Sequence, residues 1–206
     1  MSVLSSLLVS DMYILFNAKN SVKISEYGLV GAALMDLVIK RKVEIIGTRI
    51  NLINTTSTGD FYLDGALSII SEFKTNKKVS FYFKKLLKRG KELFPLFSEH
   101  LESSKFMNLS IIKKRFFYDF TVSNFNNEIR EEIINKLKEV LLQNSNISDK
   151  TFMYFLSILQ ATSLYKNILG KEYKKQVKSR MKELIIKEPI GKLVHTAVFA
   201  PDADII

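Results

Sequence analysis

The segment IIKKRFFYDF, residues Ile111–Phe120, combines positive charge with aromatic rings. An apolar pair is followed by three cations, and four of the last five residues are aromatic. One interpretation is a half-buried strand preceded by a basic turn. The alternative is a membrane-binding segment, in which the cations face anionic lipid headgroups while the rings insert beneath them.

The two kinds of side chain in this segment would contribute comparable energies to membrane binding. Lys113, Lys114 and Arg115 would each add about 1 kcal/mol near an anionic bilayer. Full burial of Phe116 or Phe117 would add about 1.5–3 kcal/mol per ring, although strand alternation would direct one ring to lipid and the other to protein. The sum is a few kcal/mol, which predicts reversible binding that needs a second contact or oligomerisation to become stable.

A second group of cations lies along one side of a predicted helix. Lys84, Lys88 and Lys91 are spaced i, i+4 and i+7, which places them in one row, and Lys85 and Arg89 form a parallel row. Such rows are typical of a solvated helix face and also fit an anionic partner. The helix is predicted to continue to Leu101 with a kink at Pro95, because proline removes a backbone hydrogen bond.

Catalytic and metal-binding patterns are absent from the sequence. His100 and His195 have no neighbouring Ser or Asp arrangement typical of a catalytic site, and no HExxH, GxxxxGK[ST] or GxSxG motif occurs. Asp60 and Asp64 are four residues apart, but Asp60 is better explained as the N-cap of a helix. We therefore expect no enzymatic activity, no metal and no cofactor.

Composition narrows the class of protein. The chain has 206 residues, a net charge of +10 and no cysteine, which implies an anionic partner and excludes disulfide scaffolds, zinc fingers and thiol catalysis. No uninterrupted apolar run is long enough to cross a bilayer, and the first residues lack the basic region of a signal peptide. The expected location is cytoplasmic, on the cytosolic face of a membrane as a peripheral protein.

The pattern of elements predicts a mainly α fold: one compact helical domain over residues 1–206 with two or more β-hairpins, one of them protruding. Tyr27–Arg41 is apolar nearly all round and predicts a buried central helix. Two apolar runs around Gly47-Thr48 predict a hairpin, and Phe106–Val122 predicts a second. The closing third is helical, with Ser148 as an expected cap. Its predicted apolar positions are Ile129, Ile133, Leu137, Val140 and Leu141, then Tyr173, Val177, Met181, Leu184 and Ile185, ended by Pro189.

Helix followed by hairpin, with many lysines, is also the order of a winged helix that binds DNA. The candidate recognition helix, Tyr27–Arg41, argues against this alternative. Its only charged residues are Asp36, Lys40 and Arg41, whereas a helix that reads a groove needs side chains that hydrogen-bond to base edges.

Two motifs carry a family resemblance. YGLVGAALMDLVIKR satisfies G-L-x-G-x-x-L-x-[DE]-L, and after a hairpin TGDFYLDGAL satisfies T-G-D-x-x-L-D-x-x-L. The matching residues are Gly28, Leu29, Gly31, Leu34, Asp36, Leu37, Thr58, Gly59, Asp60, Leu63, Asp64 and Leu67. With looser matches at HLESSKFMNLSIIKKRFFYDF and ISDKTFMYFLSILQATSLYKNIL, the chain resembles the Golgi phosphoprotein 3 family, which includes a yeast vacuolar-sorting relative and shorter prokaryotic members.

The resemblance implies a compact, mostly helical domain with β-hairpins and without enzymatic activity. Eukaryotic members bind phosphatidylinositol 4-phosphate in Golgi membranes, insert a hydrophobic hairpin that corresponds to Ile111–Phe120, and retain glycosyltransferases by their cytosolic tails. In some members the hairpin also serves self-association. The implied partners are an anionic membrane lipid, cytosolic tails of membrane proteins and further copies of the chain through the hairpin, with no nucleic acid.

The chain departs from the family at the headgroup pocket. Members use a tryptophan before G-L-x-G, an arginine at its x position and two arginines on the later helix. This chain has no tryptophan, Val30 occupies the x position, and the other two positions become Lys91 and Phe94. The basic arm of eukaryotic members is also missing, which suggests a prokaryotic or divergent relative. The expected headgroup-binding residues are Lys88, Arg89, Lys91, Lys113, Lys114 and Arg115, and the expected membrane-inserting residues are Ile111, Ile112, Phe116, Phe117 and Tyr118.

Overall fold

A computed structural model describes residues 8–16, 22–73, 76–90, 92–93, 96–97, 108–113, 118–123 and 127–185. The chain forms two compact units. One, the helical unit, comprises Met1–Ile39 and Glu128–Ile206, and the other, the hairpin unit, comprises Lys40–Asn127. The expectation of a single domain remains a prediction.

The described residues contain eight numbered helices and five strands. The helices are α1 (Leu8–Phe16), α2 (Val22–Ile39), α3 (Phe61–Ser71), α4 (Val79–Lys88), α5 (Asn127–Leu141), α6 (Lys150–Thr162), α7 (Tyr165–Leu169) and α8 (Lys174–Ile185). The strands are β1 (Val43–Ile46), β2 (Arg49–Leu52), β3 (Lys77–Lys78), β4 (Asn108–Lys113) and β5 (Tyr118–Ser123). The mainly α fold with antiparallel hairpins is confirmed.

Helix α2 is the buried helix of the helical unit, as its sequence predicts. Small residues such as Gly31, Ala32 and Ala33 let neighbouring helices approach, and α2 contacts both α1 and α6. Every side chain from Leu29 to Leu37 is buried. A helix that is apolar on all sides lowers its free energy by burial on all sides, which explains its central position.

The closing helices bury one apolar face each. In α5 this face comprises Ile133, Leu137, Val140 and Leu141, and in α8 it comprises Val177, Met181 and Leu184. The predicted members Ile129 and Tyr173 are less buried; Tyr173 is 41% exposed and precedes α8. Pro189 lies outside the described residues.

The N-cap of α6 differs from the prediction. Asp149, not Ser148, caps this helix: its Oδ1 accepts the N–H of Thr151 at 2.9 Å. The Asp149 backbone is extended, with φ −78° and ψ 111°, which is the geometry that lets a cap side chain reach the first turn. Both residue types are good caps, so the sequence alone does not distinguish them.

The hairpin unit begins with the predicted hairpin around Gly47-Thr48. Strands β1 and β2 are antiparallel, with Ile46 opposite Arg49, so that Gly47 and Thr48 form a two-residue turn. Gly47 has φ +60°, which glycine adopts without steric cost. Strand β3 pairs with β2 and completes a three-stranded antiparallel sheet in the order β1-β2-β3.

Helix α4 is shorter than its sequence predicts. It ends at Lys88, and Arg89 leaves helical geometry with φ −98° and ψ 17°. The sequence predicts a kink at Pro95, but the break occurs at Arg89, six positions earlier. Gly90, the next residue, is again helical, as are residues 92–93 and 96–97, so the chain returns to helix directly after Arg89. Pro95 itself lies outside the described residues.

Strands β4 and β5 form the second predicted hairpin. They are antiparallel, and Lys113 at the end of β4 pairs with Tyr118 at the start of β5. Residues 114–117 therefore connect the two strands; these four lie outside the described residues. The existence of the hairpin is confirmed, and its protrusion from the fold remains a prediction.

Candidate functional site

The basic row on α4 is exposed, as its spacing predicts. The buried face of this helix comprises Val79, Tyr82, Phe83 and Leu86. Lys84 and Lys88 lie on the exposed side. Among the described residues neither ammonium group has an acidic partner, so both charges are available to an anion. The third predicted member of the row, Lys91, lies outside the described residues.

Lys85, in the parallel row, lies over two aromatic rings. Its Nζ is 5.0 Å from the centroid of Phe73 and 5.3 Å from that of Phe81. The two rings meet edge to face, with centroids 5.2 Å apart. Cation–π contacts at this distance stabilise the ammonium over the rings. Lys85 therefore links the end of α3 to α4 rather than standing free.

Arg89, a predicted headgroup ligand, is paired with two carboxylates. Its guanidinium forms ion pairs with Glu72 and Glu92, and its Nε donates to Glu92 Oε1 at 2.8 Å. The hydrogen bonds that Arg89 donates to Glu92 and Glu72 raise the pKa of Arg89, and the contact with Arg89 lowers the pKa of Glu92. The formal charge of the three groups is −1, so Arg89 adds little positive potential beside Lys88. Its assignment as a headgroup ligand stays a prediction.

Three further cations of the hairpin unit lie on β2 and β3, and sequence reasoning did not identify them. Arg49 and Lys78 are directly paired across β2 and β3, and Lys77 pairs with Ile50. Arg49 Nη1 donates to the carbonyl of Asn76 at 2.6 Å, and Lys77 is exposed. The sequence feature that could have identified them is the Lys77-Lys78 doublet, which directly precedes α4 and adds two cations before its first residue.

The β4–β5 hairpin contains four of the predicted lipid-contacting residues. Ile111, Ile112 and Lys113 belong to β4 and Tyr118 to β5. Four others, Lys114, Arg115, Phe116 and Phe117, make up the connection and lie outside the described residues. The register thus assigns KRFF to the four-residue link between the strands.

The register of this hairpin also sorts its residues by polarity. Leu109 pairs with Val122 and Ile111 with Phe120. The alternate pairs are polar or mixed: Asn108 with Ser123, Ser110 with Thr121 and Ile112 with Asp119. Alternation of this kind over residues 108–112 is typical of a ribbon with one apolar and one polar face, and it ends at the Lys113–Tyr118 pair. Ile111 is thus paired with Phe120, which is not among the predicted membrane-inserting residues. Ile112 belongs to the alternate set of pairs, opposite Asp119.

The loop before α3 is built around a lysine that the sequence does not single out. Lys42 is 8% exposed, and its Nζ donates to Asn54 Oδ1 at 3.1 Å, Thr56 Oγ1 at 2.6 Å and the carbonyl of Ser57 at 3.1 Å. Three acceptors from one short segment hold the loop against Lys42. The buried ammonium is thus satisfied by the loop, as burial of a charge requires.

The two carboxylates of the T-G-D-x-x-L-D motif position α3. Asp60 Oδ1 accepts the N–H of Leu63 at 2.7 Å, which confirms it as the N-cap. Asp64 accepts from Ser57 Oγ at 2.5 Å and Thr58 N at 2.6 Å. Partial burial opposes ionisation of Asp64, but these hydrogen bonds outweigh it and lower its pKa.

A cavity of about 280 Å³ opens beside Asp64; it is lined by Thr55, Ser57, Asp64, Leu67, Ser68 and Ser71. Within the described ranges, no three His, Asp or Glu side chains cluster as metal ligands would. His100 and His195 lie outside those ranges. The motif carboxylates therefore have structural partners that account for their positions.

In the described part of the chain, no helix has the length and apolar character needed to cross a bilayer. No protein of curated function matches the chain. The sequence profile of the family described as Golgi phosphoprotein 3 (GPP34) matches residues 10–200, which is nearly the whole chain. The resemblance carried by the two motifs is thus confirmed over both units. The chain belongs to the Golgi phosphoprotein 3 family.

Proposed function

We propose that this protein is a non-catalytic, peripheral membrane protein that binds anionic phospholipid headgroups on the cytosolic face of a membrane. The observation that carries the proposal is the register of the β4–β5 hairpin. It pairs Lys113 with Tyr118 and leaves KRFF as the link between the strands. Cations and aromatic rings at the end of one ribbon suit the boundary between headgroups and acyl chains.

The hairpin contributes two kinds of energy. Lys113, Lys114 and Arg115 gain about 1 kcal/mol each near an anionic surface, and an inserted Phe116 or Phe117 gains about 1.5–3 kcal/mol. The alternating pairs extend the apolar set along the ribbon through Ile111 and Phe120. Binding through one such element is reversible, because its total is a few kcal/mol.

The exposed cations of α4 and the adjoining sheet edge support the same proposal. Lys84 and Lys88 are exposed on α4, and Lys77 is exposed on β3. All three belong to the hairpin unit, which also contains the β4–β5 hairpin. Point charges on flexible stems bind phosphates without fixed geometry, which suits contact with a mixed anionic surface.

Selective recognition of phosphatidylinositol 4-phosphate is less well supported than a general anionic contact. Val30, at the position of a pocket arginine in the family, is apolar and only 5% exposed. The chain also has no tryptophan. We therefore propose charge-dependent binding with little preference among anionic headgroups.

The adaptor role rests on family membership. We propose that the membrane-bound protein engages the cytosolic tails of membrane proteins in sorting or retention, on Golgi membranes in a eukaryotic cell, with self-association through the hairpin. The alternative of a winged-helix nucleic-acid binder is disfavoured by α2, because its side chains from Leu29 to Leu37 are buried and cannot enter a groove.

Co-sedimentation with vesicles tests the proposal. The wild type is expected to pellet with phosphatidylcholine vesicles that contain phosphatidylserine or phosphatidylinositol 4-phosphate, and to remain in solution with phosphatidylcholine alone. Phe116→Asp or Phe117→Asp, at whichever ring enters the lipid, should weaken the partition coefficient about tenfold or more, because an apolar contact becomes a repelled charge.

A matched control is Phe61→Asp. Phe61 is the most exposed of the large hydrophobic side chains in the described residues, at 65%, and it belongs to α3 of the same unit. Its replacement makes the same change in charge and size away from the hairpin and should leave partitioning within about twofold of the wild type. Equal pelleting of the wild type with neutral and anionic vesicles, or with neither, would refute the proposed function.

A further inference from the structure

The C-terminal end of the described chain carries a concentration of positive charge that the proposed site does not use. From Lys171 to Ile185 there are six basic and two acidic side chains. Four of the lysines, Lys174, Lys175, Lys178 and Lys182, lie on α8 and are all exposed. We call these four residues the α8 lysine stripe.

Helix geometry gathers this stripe on one side of α8. Lys174, Lys178 and Lys182 are spaced i, i+4 and i+8, and Lys175 lies three residues before Lys178. At 3.6 residues per turn, the four positions span an arc of about 100°. The face of α8 that packs inward, formed by Val177, Met181 and Leu184, lies outside this arc. The lysines therefore lie on the side of α8 next to its inward face, and all four are exposed.

The charges of the stripe are not neutralised by the described residues. In the described ranges, no hydrogen bond, ion pair or ring contact involves the ammonium group of any of the four lysines. The acidic residue on the same helix, Glu183, is already paired with Arg180 at 3.1 Å. Four unpaired like charges within three helical turns repel one another, and an anionic surface would relieve that repulsion.

We propose that the α8 lysine stripe is a second membrane contact, which binds anionic phospholipid headgroups. This inference rests on the proposed function. The two contacts belong to different units, the stripe to the helical unit and the hairpin to the hairpin unit. A second contact converts weak, reversible binding into stable recruitment, because peripheral proteins generally need two signals.

The side chains around the stripe favour lipid over nucleic acid. Specific base readout uses the forked donors of Arg, Asn and Gln. Arg180 is held by Glu183 and by the carbonyl of Ser145, and the Gln176 amide donates to the carbonyl of Leu142. No aromatic ring interrupts the stripe to stack a base. Lysines without such neighbours act as point charges, which suits a laterally mobile anionic surface.

The test compares vesicle partitioning of three variants with the wild type. The stripe variant carries Lys174→Gln, Lys178→Gln and Lys182→Gln, which removes three charges without creating repulsion and preserves helix propensity. The control carries Lys40→Gln, Lys138→Gln and Lys150→Gln, three exposed lysines outside the stripe. The hairpin variant is Phe116→Asp. The vesicles are phosphatidylcholine with and without phosphatidylserine.

Each lysine near an anionic surface adds about fivefold to the partition coefficient, so the stripe variant should bind about 100-fold more weakly than the wild type. The control variant should stay within about threefold of the wild type. A stripe variant that binds like the control would overturn this inference and leave the proposed function standing. Failure of the wild type to bind anionic vesicles would overturn both.

A duplex RNA gel shift at physiological salt separates the two anionic partners. The wild type should give no shift at protein concentrations that saturate the vesicles. A shift abolished in the stripe variant, together with unchanged vesicle binding, would assign the stripe to nucleic acid and reject the membrane contact. Circular dichroism of the stripe variant should match the wild type, because the three exposed ammonium groups make no hydrogen bond or ion pair in the described chain.

Discussion

The carboxylate of Asp36, on α2, caps the first turn of α1 through Leu8. Asp36 Oδ1 accepts the N–H of Leu8 at 2.9 Å, and its Oδ2 accepts the N–H of Val9 at 3.0 Å. Asp36 is 2% exposed. A carboxylate at this place accepts from two N–H groups that an α-helix leaves without internal partners. Its negative charge is also stabilised by the positive end of the α1 helix dipole. The acidic position of the G-L-x-G-x-x-L-x-[DE]-L motif is thus explained by its contact with Leu8, which lies 28 residues earlier in the chain.

Replacing this carboxylate should destabilise the helical unit. Asp36→Ala leaves two buried N–H groups without these bonds, and we expect the free energy of unfolding to fall by about 2–3 kcal/mol. The measurement is the denaturant midpoint followed by circular dichroism. Asp149→Ala removes an exposed cap bond and serves as the control, with an expected loss of about 1 kcal/mol or less. Equal losses in the two variants would contradict the role assigned to Asp36.

Lys42 should control the order of the loop before α3. Lys42→Met keeps the length of the side chain but removes the ammonium that binds Asn54, Thr56 and Ser57. Because these acceptors can turn to water, we expect a modest loss of about 1–2 kcal/mol, with faster amide hydrogen exchange in residues 54–58.

The matched control for Lys42 is Lys40→Met, at an exposed position two residues earlier. It should change neither the unfolding free energy nor exchange in the loop by more than about 0.5 kcal/mol. If the loop exchanges at the wild-type rate in Lys42→Met, the lysine is not what holds it.

Tyr13 should make the stability depend on pH in the alkaline range. Burial raises the pKa of Tyr13 from 10.0 to about 12. The folded state therefore keeps the phenol protonated where the unfolded chain ionises it. The contribution is fully present below pH 10 and is lost as the pH rises towards 12.

Between about pH 9 and pH 11 this single group should lower the unfolding free energy by about 1 kcal/mol. Tyr13→Phe should remove that part of the pH dependence, while Tyr173→Phe, at a side chain 41% exposed, should not. The chain has eight tyrosines, so the pKa of Tyr13 is obtained from the difference in tyrosinate absorbance between the folded wild type and Tyr13→Phe. The same alkaline loss in Tyr13→Phe as in the wild type would exclude Tyr13 as its source.

The acidic partners of Arg89 should restrain membrane binding. Glu72→Gln combined with Glu92→Gln removes two negative charges beside Lys88 and frees the guanidinium. We expect the partition coefficient on anionic vesicles to rise about two- to tenfold. Glu131→Gln with Glu132→Gln makes the same change in net charge at exposed positions of α5 and should have a smaller effect. Weaker binding of the first pair than of the second would show that the carboxylates support the lipid contact.

The sequence predicted those features that depend on neighbours along the chain. The apolar run of α2, the turn at Gly47-Thr48 and the Asp60 cap follow from local periodicity and turn chemistry, and all three are confirmed. The end of α4 was missed because the apolar stripe continues beyond Arg89, where the backbone leaves helical geometry.

Contacts between distant residues could not be predicted in the same way. Nothing in the sequence near Lys42 indicates that its ammonium is enclosed by residues 54–57, and nothing near Arg89 indicates Glu72, 17 positions earlier. The pairing of Arg89 also bears on the candidate site. A basic row read from the sequence includes Arg89, whose charge is neutralised in the fold by Glu72 and Glu92. For α8 the sequence predicted the apolar face of the helix, but it did not indicate that the four lysines of the stripe lack acidic partners in the described chain.

The central claim is that a basic hairpin binds a negatively charged bilayer. Its most direct test is a lipid panel with the wild type and a variant in which Lys113, Lys114 and Arg115 are all replaced by Glu. We predict that the wild type partitions onto anionic vesicles in a manner that weakens with salt, and that the variant loses about 100-fold or more of this binding. Undiminished binding of the variant at every lipid composition would contradict the account.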